Sequence, residues 1–426
     1  MKIISNPDWR LRHTCVVVLA LSFFALALHP EARLVDTNIP GGAETVRVAR
    51  SLAEYGTFAN PFAAGNTGPT AHVAPIYPFL YALFLKVFGD GYPCLLILWG
   101  LTLAILTAQI ALLPWLSSQV GLGVAPGLAA AVLGVISMHA AIDTRWEGFF
   151  AGLLLMVVGV LTVHSSTWAT AKGAAFLGII WGIAVLTNPV AVLLLVAWPL
   201  VIIARSSDRR GSLRSLAILF GVAMLVVAPW IARNYARFGA FIFVRDNFGL
   251  ELALGNNPCA SATLAQNIAS GCHHLNHPNS NTEVAKLVSS MGEYAFDQAK
   301  LQESLNWIRE NKSAFASLTI QRVRQVWFPT LERRWEMPIV WCITLLAFPG
   351  LARLWRSRRT VALLIGITWV LYPAVYYLVP ADPRYLYPIY WTILLPAGFA
   401  LTESLRAFSL MDRGTFTARP TTIRNR

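Results

Sequence analysis

Long apolar runs alternate with short polar breaks along most of this chain. Ten runs have the length of membrane helices, at about 13–30, 95–116, 124–139, 147–165, 174–188, 189–205, 214–231, 337–352, 360–379 and 388–406. A bilayer core asks for about 20 apolar residues of helix, fewer where a helix is bundled. The fifth and sixth runs meet at Thr187-Asn188-Pro189, which reads as a tight turn or a re-entrant break. Two long segments, 31–94 and 232–336, carry no such run. The second contains a helical pattern from Gly292 to Asn311, with Tyr294, Leu301, Leu305 and Ile308 on one face, and another from about Phe315 to Trp327. The pattern predicts an all-α polytopic membrane protein with about ten transmembrane helices, juxtamembrane helices at the outer face and a small, mostly helical outer segment. Its divisions are an N-terminal membrane module (1–231), the outer segment (232–336), C-terminal membrane helices (337–406) and a basic tail (407–426).

Composition agrees: 56% of the 426 residues are hydrophobic and 13% charged, which excludes a disordered chain and argues against a soluble enzyme. The net charge of +13 would suggest nucleic acid in a soluble protein. Its distribution removes that reading. With the N-terminus inside, the inner segments hold 17 of the 34 Lys and Arg against four acids, Asp8, Asp208, Glu403 and Asp412. Short basic loops mark the cytoplasmic side, so both long polar segments face out. The first run follows Lys2, Arg10 and Arg12 like a secretory signal, but Leu28-His29-Pro30 is a poor cleavage site and the run reads as an uncleaved anchor in the inner membrane. Cys259 and Cys272 fall in the outer segment, where a disulfide between them is permitted.

The outer segments carry the ionisable chemistry. Glu44 opens a predicted helix in which Val46, Ala49, Leu52 and Ala53 share a face; it suits the dipole there and is equally a candidate base. His72 and Tyr77 lie in a Pro-rich loop running into an apolar helix that carries Lys86. Asp143-Thr144-Arg145-Trp146-Glu147 enters the fourth run, an acid-rich boundary that is either an interfacial ion pair or functional. Arg233-Asn234 end the seventh run, and Arg384-Tyr385 sit in the last outer loop, where a fork-shaped cation beside hydroxyls suits a phosphate. His273, His274 and His277 match no standard metal spacing and read as a polar loop. No metal site is assigned, and a divalent-ion requirement is left open.

In their order, these segments resemble the GT-C superfamily of membrane glycosyltransferases, within it the protein O-mannosyltransferase and aminoarabinose-transferase-like branch (glycosyltransferase family 39-like), and its bacterial members most. The resemblance rests on GPTAHVAPIYPFLYALFLKVFG (Gly68–Gly89), PWIARNYARFG (Pro229–Gly239), GNNP (Gly255–Pro258), RYLYPI (Arg384–Ile389) and the stretch from Met291 to Phe328. The chain departs from that branch in having Gly-Gly-Ala-Glu where Asp-Glu is usual, and in separating His72 from Pro75. The resemblance implies transfer of a sugar from a polyprenyl-phosphate-linked donor to a lipid, glycan or protein acceptor at the outer face. It also implies a carboxylate in the first outer loop as base and another acid in the next loop. Glu44 and Glu147 match these positions, with Asp36 and Asp143 in reserve; His72, Tyr77, Lys86, Arg145, Arg233, Asn234, Arg384 and Tyr385 are candidate substrate contacts. Two other classes fit the hydropathy, a polyprenyl-lipid flippase and a non-catalytic assembly protein of the same fold. Mid-bilayer charges and symmetry between halves, which a transporter needs, are not evident.

Overall fold

The computed structural model describes residues 9–28, 44–63, 66–137, 148–164, 170–206, 208–330 and 336–415, with side chains to residue 408. Asp36, Asp143, Arg145 and Glu147 lie outside the described residues, as does most of the basic tail.

All described regular structure is helical; the described residues add only two isolated bridges, Ala59 with Pro69 and Thr263 with Ala381. Each of the ten apolar runs coincides with a helix: Trp9–Ala27, Tyr92–Gln119, Val124–Ser137, Gly148–Val163, Ala171–Thr187, Ala191–Ala204, Arg209–Phe238, Met337–Ser357, Arg359–Leu371 and Trp391–Thr415. Five stretches are long and apolar enough to cross a membrane unaided: Trp9–Ala27, Tyr92–Gln119, Arg209–Phe238, Met337–Ser357 and Arg359–Tyr377. The chain is thus a polytopic, all-α integral membrane protein.

Helices surrounded by lipid gain little from burying apolar area, so close backbone approach and internal hydrogen bonds must hold them together. Both are present. A Cβ at Gly350 of Met337–Ser357 would strike the Pro396 carbonyl of Trp391–Thr415, and one at Gly398 of that helix would strike Pro126 and Ala130. Polar side chains buried between helices find each other. Trp198 Nε1 donates to Thr368 Oγ1 at 2.9 Å, Trp369 Nε1 to Thr392 Oγ1 at 3.0 Å, and Asn188 Nδ2 to Tyr372 Oη at 3.0 Å. The last bond fixes the Asn188-Pro189 break between two helices.

The outer segment has its own small core of Phe62, Leu250, Leu254, Val288 and Phe296. Its helices include Phe248–Gly255, Cys272–Asn276, Thr282–Met291, Glu293–Glu310 and Lys312–Trp327. The helix at Glu293–Glu310 forms as its periodicity predicts, but with a different buried face. Tyr294, Leu301, Leu305 and Ile308 are only half-buried, whereas Glu293, Phe296, Asp297 and Ser304 are buried. Backbone donors on neighbouring segments cause the rotation. Asp297 accepts from Gly249 N at 3.0 Å and Leu250 N at 2.8 Å, satisfying the start of Phe248–Gly255, and Glu293 accepts from Ala71 N at 2.6 Å.

Gly350→Leu should force Met337–Ser357 away from Trp391–Thr415, an overpacking cost of about 1–3 kcal/mol. A lower unfolding temperature in detergent checks this; a wild-type value would mean that the backbones are not packed together here.

Candidate functional site

The first outer helix, Glu44–Tyr55, begins at Glu44 and buries Val46, Val48, Ala49 and Leu52. Beyond it the chain reaches a loop that ends at the helix Ile76–Phe88, and this loop is clamped from four directions. Arg233 donates to Thr70 O at 2.7 Å and to Phe58 O at 2.9 Å. Asp246 N donates to Ala71 O at 2.9 Å, Glu293 receives Ala71 N, and Arg245 Nε donates to His72 O at 2.9 Å. The clamp holds the His72 ring buried against Phe62, at 4.9 Å between centroids.

A second segment arrives from far along the chain. Cys259 and Cys272 form a disulfide, and the helix Cys272–Asn276 that follows carries His273. His277 comes directly after; it is buried, stacks on His273 at 4.6 Å, and places its Nε2 3.9 Å from Glu44 Oε1. This corrects the reading of His277 as part of a polar surface loop. A side-chain bond turns it inward: Asn279 N donates to His277 Nδ1 at 3.0 Å. That bond also fixes the tautomer, since Nδ1 accepts and the proton of a neutral ring must sit on Nε2 facing Glu44.

Glu44, His72 and His277 bring one ligand atom each within 4.8 Å of one another, close enough for a small divalent ion. His277 could serve through Nε2 only by moving its proton to Nδ1, where the Asn279 N–H now points. As folded, the trio is a neutral histidine pair beside a carboxylate rather than a ready metal cage.

A third segment supplies Glu251 on Phe248–Gly255, and a fourth supplies Arg384 and Tyr385 in the 3-10 turn Pro383–Ile389. Glu251 lies within electrostatic reach of Arg245, Glu44 and Arg384, so it joins the first outer helix to the last outer loop. Arg384 Nε is 3.4 Å from Asp382, and Tyr385 stacks on Tyr376 at 4.3 Å. Arg47, one turn beyond Glu44, keeps its Nε buried with no hydrogen-bond partner among the described residues. Glu251, Arg47, Arg245 and His277 had not been singled out as site residues. No local motif marks them; their roles depend on which distant segments they meet.

Other predicted contacts fall elsewhere. Arg233 serves the loop clamp and is flanked by Phe58 and Trp230, at 5.2 and 4.8 Å from the ring centroids. Asn234 is buried and donates to Ile242 O at 3.2 Å, shaping the turn after its helix. Tyr77 is buried against Tyr81. Lys86 is exposed in the last turn of Ile76–Phe88, at the end away from His72.

Burial sets the titration of the outer segment. It pushes Glu251 and Glu293 up to about 7, and Asp246 up to about 8 with Asp297 and Glu293 adding repulsion. It pushes His273 and His277 down to about 4 and His72 well below its ordinary value. A carboxyl with a raised folded pKa favours folding below its unfolded value near 4 and loses that contribution as pH climbs through 7–8. A histidine with a lowered pKa penalises folding as pH falls from about 6.5 towards 4. Above about pH 7 the histidine effect fades while the carboxyls still lose protons up to about pH 8, so the unfolding temperature should fall between about pH 7 and 8.5. Glu293→Gln, which can still accept from Ala71 N, should flatten the fall; an unchanged slope in that variant would clear Glu293 of responsibility. Reducing the disulfide, which spans a separation of 13 residues, should cost about 3 kcal/mol. Amide exchange should then rise around His273 and His277, and protection equal to the oxidised protein would show that the bridge does not hold this segment.

No family model matches the sequence, and no curated protein matches it. Among solved structures, the fold is similar to that of the archaeal oligosaccharyltransferase AglB from Archaeoglobus fulgidus in complex with an inhibitory peptide and a dolichol-phosphate. The TM-score is 0.57 at 13% identity, over 98% of this chain and 53% of that one. The apo form of the Archaeoglobus fulgidus oligosaccharyltransferase gives 0.57 at 13%, over 97% and 53%. ArnT from Cupriavidus metallidurans bound to undecaprenyl phosphate aligns over 98% of this chain and 82% of its own, with a TM-score of 0.40 and 14% identity. The chain spans about half the length of the oligosaccharyltransferase. Its apolar helices and helical polar segment thus share a fold with part of that archaeal oligosaccharyltransferase.

Proposed function

We propose that this protein is a membrane glycosyltransferase that moves a hexosyl or pentosyl group from a polyprenyl-phosphate-linked donor to a hydroxyl of a lipid, glycan or protein. The observation that carries the reading is the meeting of four distant segments around Glu44: His72, Glu251, His277 and Arg384 come from separate parts of the chain. The basic inner loops support an outer, periplasmic location for this site, with the N-terminus in the cytoplasm.

The chemistry follows from the residue types. The acceptor oxygen attacks the anomeric carbon while the bond from that carbon to the phosphate oxygen breaks, with inversion in one displacement. The bond electrons leave with polyprenyl phosphate, and the acceptor proton passes to the Glu44 carboxylate. Arg384 and Arg47 are the cations for the phosphate as its charge develops, since an arginine fork matches phosphate oxygens. Glu251, pushed up to about 7, holds a proton for part of the time near neutrality and can donate it in a hydrogen bond to a sugar or acceptor hydroxyl. Tyr385 and the neutral histidine pair line the same region. Glu147, Asp36, Asp143 and Arg145 belong to the proposal only as expectations from sequence.

Membranes carrying the protein, incubated with labelled polyprenyl-phosphate sugars, should yield a labelled acceptor product. Glu44→Gln should lower transfer by about 10²–10⁴ while leaving the unfolding temperature close to wild type. Arg384→Gln should lower the maximal rate by about 10²–10³. Full transfer by the folded Glu44→Gln protein would remove Glu44 as base, and lipid translocation without transfer would replace the enzyme reading by a flippase.

A further inference from the structure

At the far end of the bundle from the outer segment lies a feature that sugar transfer does not use. Three helices, Ala191–Ala204, Met337–Ser357 and Arg359–Leu371, enclose an apolar groove of about 800 Å³. Its walls include Leu200, Phe348, Trp355, Gly366 and Val370. It runs from Trp355 and Ala362 to Phe348 and Val370, seven or eight residues along each helix, which is about 12 Å at 1.5 Å per residue. Half of a bilayer's hydrocarbon core is about 15 Å, so the groove covers most of one leaflet and stops.

The end of Met337–Ser357 and the turn after it carry Arg353, Arg356, Arg358 and Arg359, all exposed, at the end of the groove away from the outer segment. Arg358 is engaged, donating to Gly121 O at 2.8 Å. Arg359 lies over the Trp355 ring at 4.9 Å, which brings its charge to the mouth of the groove. No acidic residue occurs in the sequence between Glu336 and Asp382, so the cluster has no counter-charge on its own helical hairpin. Along Met337–Ser357, 21 residues long, the cluster stands about 30 Å from the outer segment.

We propose that this groove is a binding site for a phospholipid with an anionic headgroup. One acyl chain fills the space between Phe348, Trp355 and Gly366, and the phosphodiester with its net negative charge meets Arg356 and Arg359. Apolar area supplies attraction for any lipid, and the arginines supply the selectivity, as basic residues beside membrane helices do for anionic headgroups. The groove's single-leaflet length fits an acyl chain rather than a polyprenyl tail, whose phosphate the proposed reaction needs on the opposite side. The site stands apart from the transfer chemistry, so its failure would leave the proposed function intact.

The test uses the full-length protein in detergent, titrated with phosphatidylglycerol, phosphatidylcholine or undecaprenyl phosphate, with unfolding temperature and lipid retention in native mass spectrometry as readouts. Phosphatidylglycerol should be retained and should stabilise at lower concentration than phosphatidylcholine. Replacing Arg356 and Arg359 by Gln should weaken phosphatidylglycerol by about fivefold per arginine and leave phosphatidylcholine unchanged. Gly366→Leu fills the groove from a position where a Cβ meets nothing within 4 Å, so it should fold and lose retention of both phospholipids. It keeps the test alive should the arginine variants misfold. Equal binding of the two phospholipids, unchanged phosphatidylglycerol binding in the variants, or tighter retention of undecaprenyl phosphate at this groove would each overturn the proposal.

Discussion

Charged side chains hold the backbone of Thr70, Ala71 and His72 in place. Arg233 and Arg245 donate to the Thr70 and His72 carbonyls, while Glu293 accepts the Ala71 N–H. Such charge-assisted bonds are about twice as strong as neutral ones, and breaking one in a buried setting strands a polar group without water. The three clamping residues come from the end of the helix Arg209–Phe238, from the loop after it and from the start of the helix Glu293–Glu310. The loop therefore cannot move without moving the outer segment, and the His72 ring is set in register with His277 and Glu44.

The site is consequently a junction between segments rather than a pocket within one. Glu44 begins a juxtamembrane helix, His277 follows the disulfide-bonded turn, Glu251 rides on a helix capped by Asp297, and Arg384 belongs to a 3-10 turn between membrane segments. Burial at this junction pushes His273 and His277 down to about 4 and the Glu251 carboxyl up to about 7.

The two ends of the bundle divide the electrostatics between them. Most of the acids lie with a similar number of cations in the two long polar segments, whereas the short segments at the other end carry a basic excess. The apolar length between them holds together through backbone contact at Gly350 and Gly398 and through paired polar groups such as Trp198 with Thr368.

Hydropathy alone located the apolar helices, five of them in stretches long enough to cross a membrane, because a bilayer admits only apolar helices whose backbone bonds are internal. Periodicity likewise located Glu44–Tyr55 and Glu293–Glu310, and the sequence placed Glu44 and Arg384 among the residues with chemistry to offer. The same periodicity misjudged the buried face of Glu293–Glu310, since a buried carboxylate that caps another segment looks, in one dimension, like a solvent-facing acid. His277 and Glu251 were hidden for the same reason, and Arg233 was legible as a cation but not as a clamp. Helix formation in lipid depends on neighbours within a few residues, which a sequence records. Which acid meets which donor depends on contacts such as Ala71 with Glu293, 222 residues apart, and only the packed chain decides those.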